Sequence, residues 1–435
     1  MDANDSRFSR RMWLSRTGML LGGSLLNSRL LGANLVNNEE SRNEFDPWSS
    51  ARSQLVLNPR LAYFDTAQFG PSLRAVLASE YRAQETLHTD PAGFYSTRHS
   101  SQAVETLCNR LGTWLGCTAD EVAFTRGAAA GLIQCGQALS LQAGDEILIH
   151  GQLPEELQRF WRQQAQQHSL VLKSVTLPMP LHNRDEVVAA FDSAMSERTR
   201  VLACSHIQRM DGAILPVREL CQLARARGVM SMIDGTLSLG ALQFSVRELD
   251  CDVYGASLCH WLNGPHETGV VYVREQLQSV LQADFAGSVE PGLSNNRAGW
   301  PRLMQRWPDD FIDLAPQFQS LPTALAWQEN IGRARIEARL RELHLYARLR
   351  LQSIAGVELL TPIQPGMWLN VLSLRASNHY AAELADWLRN NDRVIVSGFN
   401  ATQDGMNVLR ISLHVYNSHD EIERLTQGLQ RALRA

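Results

Sequence analysis

From about Leu57 onward the chain alternates short apolar runs with amphipathic stretches. Asp145-Glu146-Ile147-Leu148-Ile149-His150 follows a turn at Gly144 and reads as a buried strand, because a nearly unbroken apolar run of this length suits a strand covered on both faces. The same reasoning marks strands at Leu170–Leu177, Arg200–Cys204, Val229–Ile233 and Gly269–Val273. Helical periodicity lies between them, at Glu186–Ser196 and at Val217–Arg227, the latter opened by Pro216 and stopped by Gly228. Strands that alternate with helices predict an α/β fold with a mostly parallel central sheet. Functional groups on such a sheet collect at the carboxyl ends of its strands, where Ser205-His206 and Asp234 stand.

The pattern changes near Thr323. A long helical stretch rich in arginine and leucine, about Thr323 to Ile354, leads to shorter strands near Trp368–Leu374 and Val408–Leu413, with helices at Tyr380–Asn390 and Asp420–Leu433. These elements predict a smaller α+β C-terminal domain. The expected organisation is a leader over 1–33, a polar arm over 34–60, a large domain over 61–322 and a small domain over 323–435.

Composition narrows the function classes. With 435 residues, 44% hydrophobic and 20% charged, the chain can bury a substantial core and does not have the makeup of a disordered protein. A net charge of -4 carries no basic excess, so nucleic acid is not an expected partner. No apolar run is long enough for a conventional spanning helix, which predicts no stable membrane span. Near the start, Ser9-Arg10-Arg11-Met12-Trp13-Leu14 precedes an apolar run from Gly18 to Leu26, the order read by twin-arginine export; the expected location is therefore the periplasm. The 7 cysteines show no paired or metal-ligand spacing, so no metal site is expected. Lys173 is the only lysine among 41 basic residues, and any chemistry that needs a lysine amine must use it.

Five segments carry a family resemblance. They are Phe124-Thr125-Arg126-Gly127-Ala128-Ala129-Ala130-Gly131-Leu132; Ser205-His206-Ile207-Gln208 with Gly212 to Val217; Ile233-Asp234-Gly235; Tyr254 to Pro265; and Arg410-Ile411-Ser412 with Tyr416-Asn417. In this order and spacing they resemble the class V aminotransferases, near the isopenicillin N epimerase-like branch, over roughly Leu57 to Ala435. Similar exported proteins include the periplasmic pyoverdine-maturation members.

The resemblance implies a pyridoxal-phosphate (PLP) fold type I and a homodimer. It implies that Asp234 pairs with the pyridine nitrogen, that Gly127, Ala128, Ala129 and Ser257 belong to the cofactor contacts, and that Arg410 clamps a substrate carboxylate. It also exposes departures. The family's Schiff-base lysine precedes a tryptophan, whereas this chain reads Ser257-Leu258-Cys259-His260-Trp261, with His260 in the lysine slot. Ala129 stands where a phosphate-binding hydroxyl is expected, and Leu237 where a glutamine is expected. No ring-stacking aromatic appears in Gly151 to Glu155, and no glycine-threonine pair in Phe311 to Ala315.

Three readings follow. In the first, a degenerate homologue without Schiff-base chemistry binds a small amino-acid-like ligand or a partner. In the second, an enzyme holds PLP or pyridoxamine phosphate noncovalently and works on an amino-acid or siderophore-type substrate. Its working set is His260 as acid/base, His206, Asp234 and Arg410, since an imidazole with an ordinary pKa of about 6.5 suits proton transfer near neutrality. In the third, a dimeric accessory protein has no cofactor at all.

Overall fold

The five expected strands of the large domain join two that were not expected, Val122–Thr125 and Val253–Ser257, in a 7-stranded sheet, in a computed structural model that describes residues 47–98, 100–279, 299, 301–307, 314–401 and 406–435. The expected leader over 1–33 lies outside the described residues, as do residues 34–46 of the arm and Phe311-Ile312-Asp313. Strand β1 (Ala62–Tyr63) belongs to a small separate pairing. The large sheet contains β2 (Val122–Thr125), β3 (Glu146–His150), β4 (Val171–Val175), β5 (Thr199–Ser205), β6 (Met230–Asp234), β7 (Val253–Ser257) and β8 (Gly269–Val273), in the order β2-β8-β7-β6-β5-β3-β4.

Strands β4, β3, β5, β6 and β7 run parallel, joined by crossovers through helices such as Glu155–His168, Arg184–Ala194 and Val217–Ala226. Strand β8 reverses direction and pairs antiparallel with both β7 and β2, because only a short loop joins it to β7 and leaves no room for a crossover. The apolar runs of β2, β3 and β8 are buried throughout, whereas β4 at the edge of the sheet is partly exposed.

The C-terminal region has its own antiparallel sheet. Strands β9 (Val357–Leu359), β10 (Val371–Ala376), β12 (Ser397–Ala401) and β13 (Met406–Ser412) are ordered β12-β13-β10-β9, while β11 (Val394–Ile395) pairs with β1. Helices Ala381–Asp392 and His419–Ala432 close the core around Leu372, Leu409, Ile411 and Leu425.

Three expectations change here. Part of the supposed polar arm is a helix, Pro47–Ser53, in which Trp48 lies under the guanidinium of Arg339 at 5.6 Å. Ala62 and Phe64, placed by sequence in the large domain, join the C-terminal core. The single helix read from Thr323 to Ile354 is two, Ala315–Ile331 and Arg333–Leu351, broken at Gly332 with φ 91°, and the expected boundary at 322/323 falls inside the first. Gly332 is the local signal for this break, since its positive φ favours glycine. Among the described residues no helix is long and apolar enough to cross a membrane.

Candidate active site

The carboxyl ends of β5, β6 and β7 meet in register, Ser205 beside Asp234 and Asp234 beside Gly255. Gly235 turns the chain sharply: its N–H donates to the Gly255 carbonyl at 2.7 Å, and a Cβ there would lie 2.1 Å from the Tyr254 ring. Above these ends opens a cavity of about 420 Å³. Its wall contains Ser205, Asp234, Thr236, Leu237, Ser257 and His260, the start of the helix Ala128–Gln137, and Arg126 and Arg209. This is the edge at which parallel sheets present their ligand sites.

Asp234 is buried, and burial raises its pKa above the ordinary carboxylate value. Hydrogen bonds from Thr236 N at 3.1 Å and Ser205 Oγ at 3.4 Å oppose that rise. Among the described residues no lysine or arginine forms an ion pair with it. A buried carboxylate in this condition gains from a cationic ligand group.

The expected phosphate turn forms at Gly127, whose φ of 144° favours glycine. The Thr125 hydroxyl donates to the Gly127 carbonyl at 2.7 Å, and Ala128 N donates to Ser257 Oγ at 3.0 Å. Ser257 therefore takes up one amide at the helix start, while Ala129 and Ala130 line the cavity beside it.

His260 is half-buried on the cavity wall. Its Nδ1 lies 2.9 Å from the Thr66 carbonyl, so this nitrogen carries the proton in the neutral ring and Nε2 carries the lone pair. Burial lowers the pKa to about 4, opposed by the Thr66 carbonyl and assisted by the positive charge of Arg209. The Thr66 segment is held flush against this loop: a Cβ on Gly70 would lie 1.8 Å from the Cys259 carbonyl oxygen.

Two expected site residues are placed elsewhere. His206 does not face the cavity. Ser205 and Ile207 do, whereas the His206 ring points away, edge-on to Phe244 at 5.2 Å and with Nδ1 3.1 Å from the Tyr254 hydroxyl. Burial lowers its pKa to about 3. Alternation at a strand end sends adjacent side chains to opposite faces.

Arg410 is completely buried, not exposed to an arriving substrate, and its Nη2 pairs with Asp65 Oδ1 at 3.2 Å. Neither residue lines the cavity. Lys173, as expected, is remote from the cavity and contacts Glu146 at the amino end of β3.

The seven thiols form no disulfide, and burial raises the half-buried Cys259 to about 11. Sequence reasoning passed over Arg209, Thr66 and Asp65. Arg209 was within reach of the carboxyl-edge rule, since it follows β5 closely. Thr66 and Asp65 carried no comparable signal, because they arrive from a distant part of the chain.

The chain is similar to known proteins. Residues 63–425 match the aminotransferase class-V family. The chain is 31% identical over 394 residues to the isopenicillin N epimerase of Amycolatopsis lactamdurans, covering 88% of this chain and 98% of that one. It is 27% identical over 407 residues to a probable cysteine desulfurase of Vibrio cholerae, covering 88% and 96%. Solved structures of similar fold include the apo cysteine desulfurase of Thermococcus onnurineus NA1, with TM-score 0.77, 19% identity and coverage of 90% and 99%. Another is the cystine C-S lyase C-DES with its product cysteine persulfide, with TM-score 0.75, 17% identity and coverage of 85% and 97%. They share the PLP fold type I expected from the sequence.

Proposed function

Because the chain belongs to the class V aminotransferase family, we propose that it is a member that has left protein-bound Schiff-base transamination and holds a phosphorylated pyridine, pyridoxal or pyridoxamine phosphate, by noncovalent contacts alone. One observation carries this reading. His260 stands on the cavity wall, while the chain's one lysine, Lys173, is engaged by Glu146 at the opposite edge of the sheet. An imidazole does not form the stable protonated imine that a primary amine forms.

The remaining residues fit the noncovalent part of such a ligand. Asp234 supplies a buried carboxylate for a protonated ring nitrogen. The amides of Ala129 and Ala130, with Arg126 on the same wall, supply donors and charge for a phosphate. When bound, the coenzyme supplies an electron sink. The hydroxyl and amide contacts absent at Ala129 and Leu237 each weaken the hold by about 1.5–3 kcal/mol, so binding is reversible.

A second reading retains catalysis. It is favoured by the Thr66 carbonyl, which turns His260 so that its unprotonated Nε2 is free to accept a proton. Export through the twin-arginine leader into the periplasm, a homodimer, and an amino-acid or siderophore-type ligand belong with either reading.

Titration of the purified full chain with pyridoxal and pyridoxamine phosphates tests the proposal. The expected result is a saturable absorbance change that dialysis removes and borohydride does not fix to the protein. Absence of binding, or a stoichiometric phosphopyridoxyl group fixed on Lys173, overturns it. Hydrogen exchange from heavy water into the bound coenzyme, lost in His260→Gln, would establish the second reading.

A further inference from the structure

The geometry points to Arg209, and not Arg410, as the residue that takes the carboxylate of a bound ligand, which makes Arg209 the specificity-determining group of this cleft. This rests on the reading above, that the cavity holds a phosphorylated pyridine.

The two arginines are in opposite situations. Arg410 is sealed. Its Nη2 donates to Asp65 Oδ1 at 3.2 Å and to Ser397 Oγ at 3.1 Å, and its guanidinium carbon lies 4.9 Å from the centre of the Phe399 ring. Ser397 Oγ also donates to Asp65, while Arg410 Nε and Nη1 are buried without a hydrogen-bond partner among the described residues and the residue lines no part of the cavity. A carboxylate brought to Arg410 would have to enter beside the Asp65 carboxylate, and like charges at that separation repel. The chain thus supplies its own carboxylate to the family's carboxylate-binding arginine.

Arg209 is open. It lines the cavity on the same wall as His260 and Asp234, and its Nη2 donates to Gln68 Oε1 at 2.6 Å, a neutral acceptor. Among the described residues it forms no ion pair. A guanidinium carries five donors in a planar fork that matches a carboxylate with two parallel bonds, so the remaining donors can take one from the cavity side. Gln68 steers the fork without neutralising it. The ligand class is therefore a phosphorylated pyridine whose amine carries a carboxylate-bearing group, in other words an amino-acid adduct and not the bare coenzyme.

The experiment compares three stable probes on the full chain by calorimetry: pyridoxamine phosphate, N-phosphopyridoxyl-L-alanine and its carboxamide. The alanine adduct is expected to bind roughly tenfold tighter than the other two, the size of one added charge-assisted pair. Arg209→Gln is expected to erase that ratio and Arg209→Lys to restore part of it, an outcome that a purely structural role would not produce. Asp65→Asn, which unseals Arg410, is expected to leave the ratio unchanged. A ratio that survives in Arg209→Gln, or that grows in Asp65→Asn, overturns the assignment. Equal binding of all three probes by the unaltered protein overturns this inference alone. Failure to bind any of them overturns it together with the proposed function.

Discussion

The Lys173 ammonium lies 2.7 Å from Glu146 Oε2, at the amino end of the sheet and away from the cavity. The Glu146 side chain is only 2% exposed, and burial alone would raise its pKa. Hydrogen bonds from Lys173, Ser196 and Thr199 outweigh that effect and hold it down to about 2. The lysine that the family's chemistry would need is thus occupied as a structural counterion.

Lys173→Met should therefore cost stability and leave ligand binding intact. Removing one partner of a buried pair is expensive, although Arg198 at 3.4 Å and the two hydroxyls remain, so a loss of about 1–3 kcal/mol is expected at pH 7. A carboxyl whose folded pKa is depressed stabilises the fold above its ordinary pKa, and the contribution fades as pH falls from about 4.5 toward 2. The penalty should accordingly shrink at pH 3. Urea unfolding of both proteins at pH 3 and pH 7, with coenzyme titration at pH 7, checks both halves.

Asp234→Asn should separate stability from binding. In the free protein a buried carboxylate with no ion-pair partner among the described residues is destabilising when ionised, so the amide should stabilise the fold at pH 7–8 by roughly 1–2 kcal/mol and raise its thermal midpoint. The same change removes the charge offered to a pyridine nitrogen and should weaken pyridoxamine phosphate at least about tenfold. Calorimetry and thermal melting of one preparation report both. A variant that is less stable and binds equally well would show that Asp234 serves only the turn.

Asp211 predicts a pH dependence of stability. It is fully buried, and burial raises its pKa to about 7, opposed by a hydrogen bond from Ala213 N at 3.0 Å. Its neighbour Gln208, with its amide turned to suit both partners, donates to Asp211 at 2.8 Å and accepts from His150 at 3.3 Å. Between about pH 4 and pH 7 the folded protein keeps a proton that the unfolded chain has released. Stability attributable to Asp211 should therefore fall as pH rises through that window and level off above it. Asp211→Asn should remove up to about 4 kcal/mol of this decline, so that the variant gains on the unaltered protein from pH 5 to pH 8. Denaturant midpoints at four pH values decide it; a constant difference between the two proteins would count against the raised pKa.

The five segments that resemble the family, the strands at Glu146–His150 and Gly269–Val273, and the meeting of Ser205 with Asp234 were all legible in the chain. Apolar runs and turn residues act over a few positions, and the carboxyl-edge rule converts strand ends into a site. The absence of a second lysine was equally a property of sequence. Tertiary structure decided what each polar group meets. Nothing local places Thr66 on His260 or Asp65 on Arg410, because the pairs are 194 and 345 residues apart in sequence. The partners of the buried His206 ring, Phe244 and Tyr254, likewise come from other parts of the chain. Pattern reports which residues must be buried, whereas the charge state and partner of a buried group follow from distances that only the folded chain creates.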